Sequence, residues 1–101
     1  MIMEILETAV AGTLESSDCM VTIEPAKNGL QIELDSAVMQ QYGRRIAEVA
    51  METLDRLDVQ NARISIIDKG ALDCTIKARV ECAAMRAAEH EGRVNWGGVI
   101  R

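Results

Sequence analysis

A chain of 101 residues with 49% hydrophobic residues but no Phe, one Tyr and one Trp fits one domain. Its core must come from Ile, Val, Leu, Met and Ala, and it leaves little room for a deep active site. A net charge of −5 argues against nucleic acid, which demands a concentrated basic surface, and favours partners with basic docking sites. Three cysteines without a Cys-x-x-Cys pair, a start interrupted by Glu4 and Glu7, and no apolar run near the ~18 residues of a membrane span lead to the expectation of a soluble, cytoplasmic protein with no membrane association.

Residues 1–18 read as a lead-in. Met1, Met3, Ile5 and Leu6 suit a short strand or a helical turn, and Gly12 loosens the chain before a loop around Ser16. From Met20 to Glu24 the pattern alternates, Val21 and Ile23 facing one way, which predicts a half-buried strand ended by Pro25. Lys27-Asn28-Gly29 then supplies a hairpin turn, and Leu30, Ile32 and Leu34 return as the paired strand.

Asp35 or Ser36 is placed to cap a helix in which Val38, Tyr42, Ile46, Val49, Thr53, Leu54 and Leu57 recur at helical spacing. Gly43, inside that helix, costs ~1 kcal/mol of propensity relative to Ala and reads either as permitting close packing against the sheet or another subunit or as a tolerated surface glycine. After Asp58 the plan repeats: Ile64 and Ile66 form a strand, Asp68-Lys69-Gly70 turns, Leu72, Cys74 and Ile76 return, and Val80 to His90 read as an Ala-rich helix. The matching patterns of Leu30, Ile32, Leu34, Val38 and Leu72, Cys74, Ile76, Val80 favour two similar units. The expected class is α+β: two ββα units forming a four-stranded, mainly antiparallel sheet with two helices on one face. The glycine-containing segment 92–101, which holds Trp96, reads as a flexible tail.

The residues that carry chemistry are few. His90, the one histidine, lies far from Ser16, so no Ser-His-Asp arrangement can be assembled and a serine hydroxyl here is better suited to modification than to catalysis. Cys74, Cys82 and His90 are eight residues apart, but the expected strand-to-helix change between the two cysteines breaks a shared face, and three ligands leave a tetrahedral zinc site incomplete. No catalytic or metal-ligating residue is therefore expected. Glu48, Glu52, Asp55 and Asp58, interspersed with Arg44, Arg45 and Arg56, read first as a solvated helix face. Locally, Ser16, Ser17 and Asp18 also suit a hydrogen-bonded turn into the strand, and local chemistry does not separate the two serines.

Four segments in order, Ala11-Gly12-Thr13-Leu14-Glu15-Ser16-Ser17-Asp18, the Asn28-Gly29 turn, Gln40-Gln41-Tyr42-Gly43 and Asp68-Lys69-Gly70-Ala71-Leu72-Asp73-Cys74, resemble the acyl carrier (gamma) subunits of citrate lyase. The resemblance runs from about Ala11 to about Ala88. It implies a single acyl-carrier domain over residues 1–91, in which the first serine of Glu15-Ser16-Ser17-Asp18 is the attachment point. Ser16 would carry, through a phosphodiester, a phosphoribosyl dephospho-coenzyme A group whose thiol holds acetyl and citryl thioesters while citrate is cleaved to acetate and oxaloacetate.

The partners so implied are the alpha (acyl transferase) and beta (citryl lyase) subunits, and a dedicated prosthetic-group transferase. Glu15 and Asp18 become candidates for recognition by that transferase or for keeping the loop open, and Gly12 for its mobility. Malonate decarboxylase carriers are similar in size, but their serine sits in a Gly-Ser-Gly-Asp context, so Glu15-Ser16-Ser17-Asp18 favours the citrate enzyme. The alternatives are that malonate carrier and an acidic interaction subunit without cofactor. A carrier loop is expected to be exposed and mobile, a structural turn ordered and hydrogen-bonded.

Overall fold

The computed structural model describes residues 2–36 and 39–88. Strands β1 (Ala9–Gly12), β2 (Cys19–Pro25) and β3 (Leu30–Ser36) precede helix α1 (Met39–Arg56), which is followed by β4 (Ala62–Asp68) and α2 (Asp73–Ala88). The strands form one four-stranded sheet in the order β1-β2-β4-β3, antiparallel except where β3 runs parallel to β4. This is the expected class, a mainly antiparallel α+β sheet with two helices on one face.

Alternation decides which residues the sheet buries. Cys19, Val21 and Ile23 of β2 and Ala62, Ile64 and Ile66 of β4 turn to the helices, and the pairing register lines them up in rows such as Ala11, Val21, Ile66 and Leu34. The helices answer with stripes at three- and four-residue spacing. Ile46, Val49, Ala50, Thr53 and Leu54 are buried on α1, and Ile76, Val80, Ala83, Ala84 and Ala87 on α2. The alanines let α2 lie close to α1, β1 and β2. Gly43 is on the buried side of α1, in line with the close-packing reading.

Helix α1 stops where Asp58 enters the left-handed region at φ 61°. The Asp58 amide donates to the Asp55 carbonyl (3.0 Å) and the Val59 amide to that of Leu54 (2.9 Å), a Schellman stop with buried Leu54 and Val59 beneath it. Among the described residues the lead-in forms no regular element before Ala9 and instead covers helix ends. The Met3 amide donates to Asp58, and the Leu6 and Glu7 amides both donate to the last-turn carbonyl of Ala87.

Local expectations give way at three places. Strands β2 and β3 flank β4 and do not pair with each other. The Asn28-Gly29 turn exists, with Gly29 at φ +85°, but it carries the chain across the position that β4 fills. Helix α1 then serves as the crossover that parallel β3 and β4 require. Asp35 and Ser36 are the last two residues of β3.

The segment Leu72 to Ile76 is the start of α2, not a strand. The Ile76 amide donates to the Leu72 carbonyl (3.0 Å), and burial at Ile76 and Val80 continues as a helical stripe while Leu72 and Cys74 face solvent. The fourth strand comes from the lead-in, as β1. The pattern match of Leu30, Ile32 and Leu34 with Leu72, Cys74 and Ile76 thus sets residues of β3 against the first turn of α2 and the residue before it. Val38, His90, Trp96 and the tail expected over 92–101 lie outside the described residues.

Candidate functional site

The loop 13–18 closes the β1–β2 hairpin, and its base is tied on three sides. Across the hairpin, the Thr13 amide donates to the Cys19 carbonyl (3.2 Å). Gly12 makes this approach possible at φ +102°, because a Cβ there would lie 1.9 Å from the Cys19 carbonyl oxygen and 3.2 Å from Cδ of Arg79. Gly12 is therefore a close-contact position, and the expected role in mobility gives way to that packing.

Asp18 organises the second side. Its Oδ1 accepts from the Cys19 amide (2.7 Å) and Arg79 Nε (3.0 Å), and its Oδ2 from Thr13 Oγ1 (2.6 Å) and Arg79 Nη2 (2.8 Å). The guanidinium fork of Arg79 on α2, then the Thr13 hydroxyl and the Cys19 amide, hold this carboxyl well below the usual carboxylate range. Asp18 is thus a saturated, ionised clamp and a poor proton acceptor.

The third side is the turn after β4. The Ser17 amide donates to the Lys69 carbonyl (2.8 Å) and the Lys69 amide to that of Asp18 (2.9 Å), extending the β2–β4 ladder by one rung. Two separate sequence segments, Ala11–Asp18 and Asp68–Cys74, are thereby joined side by side. Buried Asp68 shapes the second of them, accepting from the Ala71 amide and from Ser36 Oγ, both at 2.9 Å.

Above this base the tip is open. Leu14, Glu15, Ser16 and Ser17 are exposed, and the Ser16 hydroxyl makes no hydrogen bond among the described residues. Ser17 adopts φ 65° and its amide is committed to Lys69, so its backbone belongs to the turn. Glu15 contributes its carbonyl to the Asp18 amide (3.1 Å), and its own amide donates to Thr13 Oγ1 (3.2 Å). The loop is hydrogen-bonded at its base and exposed at its tip.

Beside it lies a cleft of about 610 Å³, with Ala71, Leu72 and Ile76 on one wall and Arg45 and Ile46 of α1 on the other. Arg45 bridges to Asp73 across its mouth (Nε–Oδ2, 2.9 Å). Neither the cleft nor the Arg79–Asp18 pair was visible in the sequence. Arg79 reads there as one more basic residue, and no spacing rule joins groups 61 positions apart.

The remaining candidates are dispersed. Cys19 is buried, Cys82 half-buried and Cys74 exposed. Cys74 and Cys82 both lie on α2, so the strand-to-helix break expected between them is absent. Among the described residues no three His, Cys, Asp or Glu side chains gather around one point. Glu48, Glu52 and Asp55 face solvent as expected, and Arg45–Asp73 and Arg56–Glu81 link the two helices. No helix among the described residues is long and apolar enough to cross a membrane.

Comparison with known proteins places these features in context. Residues 6–87 match the acyl carrier family profile described as malonate decarboxylase delta subunit (MdcD). The chain is 52% identical over 94 residues to a citrate lyase acyl carrier protein of Streptococcus uberis, covering 93% of this chain and 92% of that one. It is also 52% identical over 98 residues to the citrate lyase acyl carrier protein of Escherichia fergusonii, covering 96% and 100%. The fold is shared with a chain in the crystal structure of a Pseudomonas malonate decarboxylase hetero-tetramer in complex with malonate, at TM-score 0.73 and 23% identity over 85% of this chain and 89% of that one.

Proposed function

Since the chain belongs to the family of small acyl carrier subunits shared by citrate lyase and malonate decarboxylase, we propose that it is the acyl carrier of a citrate lyase, with Ser16 as the covalent anchor of its prosthetic arm. The observation that carries this reading is the exposed Ser16 hydroxyl, free of hydrogen bonds among the described residues, on a tip whose base is locked by Asp18 and Arg79. An enzyme can reach that oxygen without unfolding anything.

The surroundings suit a phosphodiester. The Arg79 fork neutralises Asp18 at the loop base, and exposed Lys69 adds a cation next to Ser17. A chain of net charge −5 thus offers a locally tolerant place for phosphate. Saturated Asp18 is no base for the serine, so the proton is taken by a residue of the modifying transferase. When bound, a phosphoribosyl dephospho-coenzyme A arm supplies a terminal thiol that can hold an acyl group as a thioester. The protein's own contribution is non-catalytic: it fixes one end of that arm and so sets a high effective concentration near the active sites of alpha and beta subunits.

The family profile and the shared fold keep a malonate decarboxylase carrier as the second reading. The Glu15-Ser16-Ser17-Asp18 context and the identity to citrate lyase carriers favour the first. The test is the intact mass of protein made with its native modifying system, followed by peptide mapping across 8–27. Ser16→Ala is expected to abolish the added mass and to change stability by no more than ~0.5 kcal/mol, as for an exposed side chain without partners. Full modification of Ser16→Ala, with loss only in Ser17→Ala, overturns the assignment. Co-purifying subunits and the acid that drives turnover separate citrate from malonate.

A further inference from the structure

We propose that the cleft between the start of α2 and Arg45–Ile46 of α1 is a docking site for the pantetheine end of the arm, held in cis on the same chain that carries it. The proposal rests on Ser16 being the anchor. Its first support is contiguity. Ser17 is hydrogen-bonded to Lys69, and the next residues, Gly70, Ala71 and Leu72, form the lip of the cleft. Counting one Cα step from Ser16 to Ser17, one strand spacing and one step to Gly70 puts the anchor no more than about 12 Å from that lip. A tether of many rotatable bonds crosses such a gap easily.

The chemistry of the walls is the second support. Ile46, Ala71, Leu72 and Ile76 make an apolar trough, and the Arg45–Asp73 pair supplies donors and acceptors at its mouth. That combination fits a slender chain of methyl and methylene groups interrupted by two amides. A volume of about 610 Å³ lies within the ~300–1,000 Å³ typical of small-molecule sites. Leu72, left 70% exposed at the lip, gains cover from such an occupant. Docking shields an acyl thioester from water between visits to the partner active sites.

Cys74 lines the same cleft and provides the reporter. Holo-protein, its arm first verified on Ser16 by peptide mapping, is treated with limiting diamide. The arm thiol and Cys74 each lose one hydrogen to diamide, which is reduced to its hydrazine, and an intramolecular disulfide forms. The comparison is the rate at a cysteine placed outside the cleft, Met85→Cys in a Cys74→Ser background, since Met85 is an exposed position of α2.

A freely swinging arm favours Cys74 only through its shorter span from the anchor, an advantage that Leu72→Asp leaves in place, so an advantage that survives Leu72→Asp overturns docking. Docking predicts trapping at Cys74 at least tenfold faster, and loss of that advantage in Leu72→Asp, whose exposed position leaves the core untouched. Equal rates at the two cysteines overturn the docking site while leaving the anchor intact. Disulfide-linked dimers in place of the closed monomer also overturn it, giving the cleft to a second copy. An arm mapped to another residue overturns the anchor and the docking proposal together.

Discussion

Replacing Gly12 by Ala tests whether the loop base is built as described. Two costs add. The left-handed backbone at φ +102° penalises any L-residue by ~1–2 kcal/mol. The new methyl would also sit 1.9 Å from the Cys19 carbonyl oxygen, a contact that only a shift of β1 against β2 relieves, at the ~1–3 kcal/mol typical of overpacking. The expected loss is about 2–5 kcal/mol, or a Tm lower by roughly 10–30 °C for a domain of this size. Gly29→Ala is the control: its φ is +85°, but nothing stands within 4 Å of the added methyl, so only the backbone penalty applies. Urea unfolding followed by circular dichroism measures both. Hydrogen exchange at the amides of Thr13, Ser17 and Cys19 reports whether the Arg79 clamp has opened. If Gly12→Ala costs no more than Gly29→Ala and leaves those amides protected, the close hairpin approach described here is wrong.

Acid dependence isolates the clamp. The folded-state value of Asp18 is depressed, chiefly by Arg79, so its contribution is fully present above the ~4 of an unfolded aspartate and is lost as pH falls toward the folded value. Unfolding curves from neutral pH downward are expected to show Asp18→Asn less stable at pH 7 and flatter below pH 4; parallel profiles for the two proteins contradict the clamp. Thiol labelling probes the core. Burial, with the charges of Asp18 and Asp68 adding to it, pushes the Cys19 thiol up to about 11. Iodoacetamide near neutral pH is therefore expected to modify exposed Cys74 first, Cys82 more slowly and Cys19 only on unfolding. Early labelling of Cys19 would show that the hairpin is not closed over it.

How much of this was legible in the sequence depends on the range over which each feature is determined. Alternation at Val21 and Ile23, at Leu30, Ile32 and Leu34, and at Ile64 and Ile66 marks β2, β3 and β4, because half-buried strands write a period of two into the chain. The stripe through Ile46, Val49, Thr53 and Leu54 marks α1 in the same way. Leu72, Cys74 and Ile76 mislead because three alternating positions also fit a helix start, and only burial continuing at Val80 and Ala84 resolves them. β1 escapes because Ala9-Val10-Ala11-Gly12 is short and small-chained, with little to bury. Pairing order depends on long-range burial, which made β4 central and separated β2 from β3.

The site divides along the same line. The exposed serines and their turn follow from local composition, whereas Arg79, the Lys69 rung and the cleft exist only once distant segments meet.

The sheet's two margins differ in length, and the difference bears on how the protein behaves in company. One margin is β1, only four residues long. The other is the seven-residue β3, whose outer backbone groups have no strand beside them among the described residues. Gln31, Glu33 and Asp35 alternate along the solvent side of β3, and Glu33 is answered by Arg63 on the neighbouring strand (2.7 Å). Two identical chains meeting margin to margin bring like charges together, one of the devices by which natural sheets resist accidental strand addition. That repulsion, centred on Asp35 because Arg63 already answers Glu33, works against self-pairing along the longer margin.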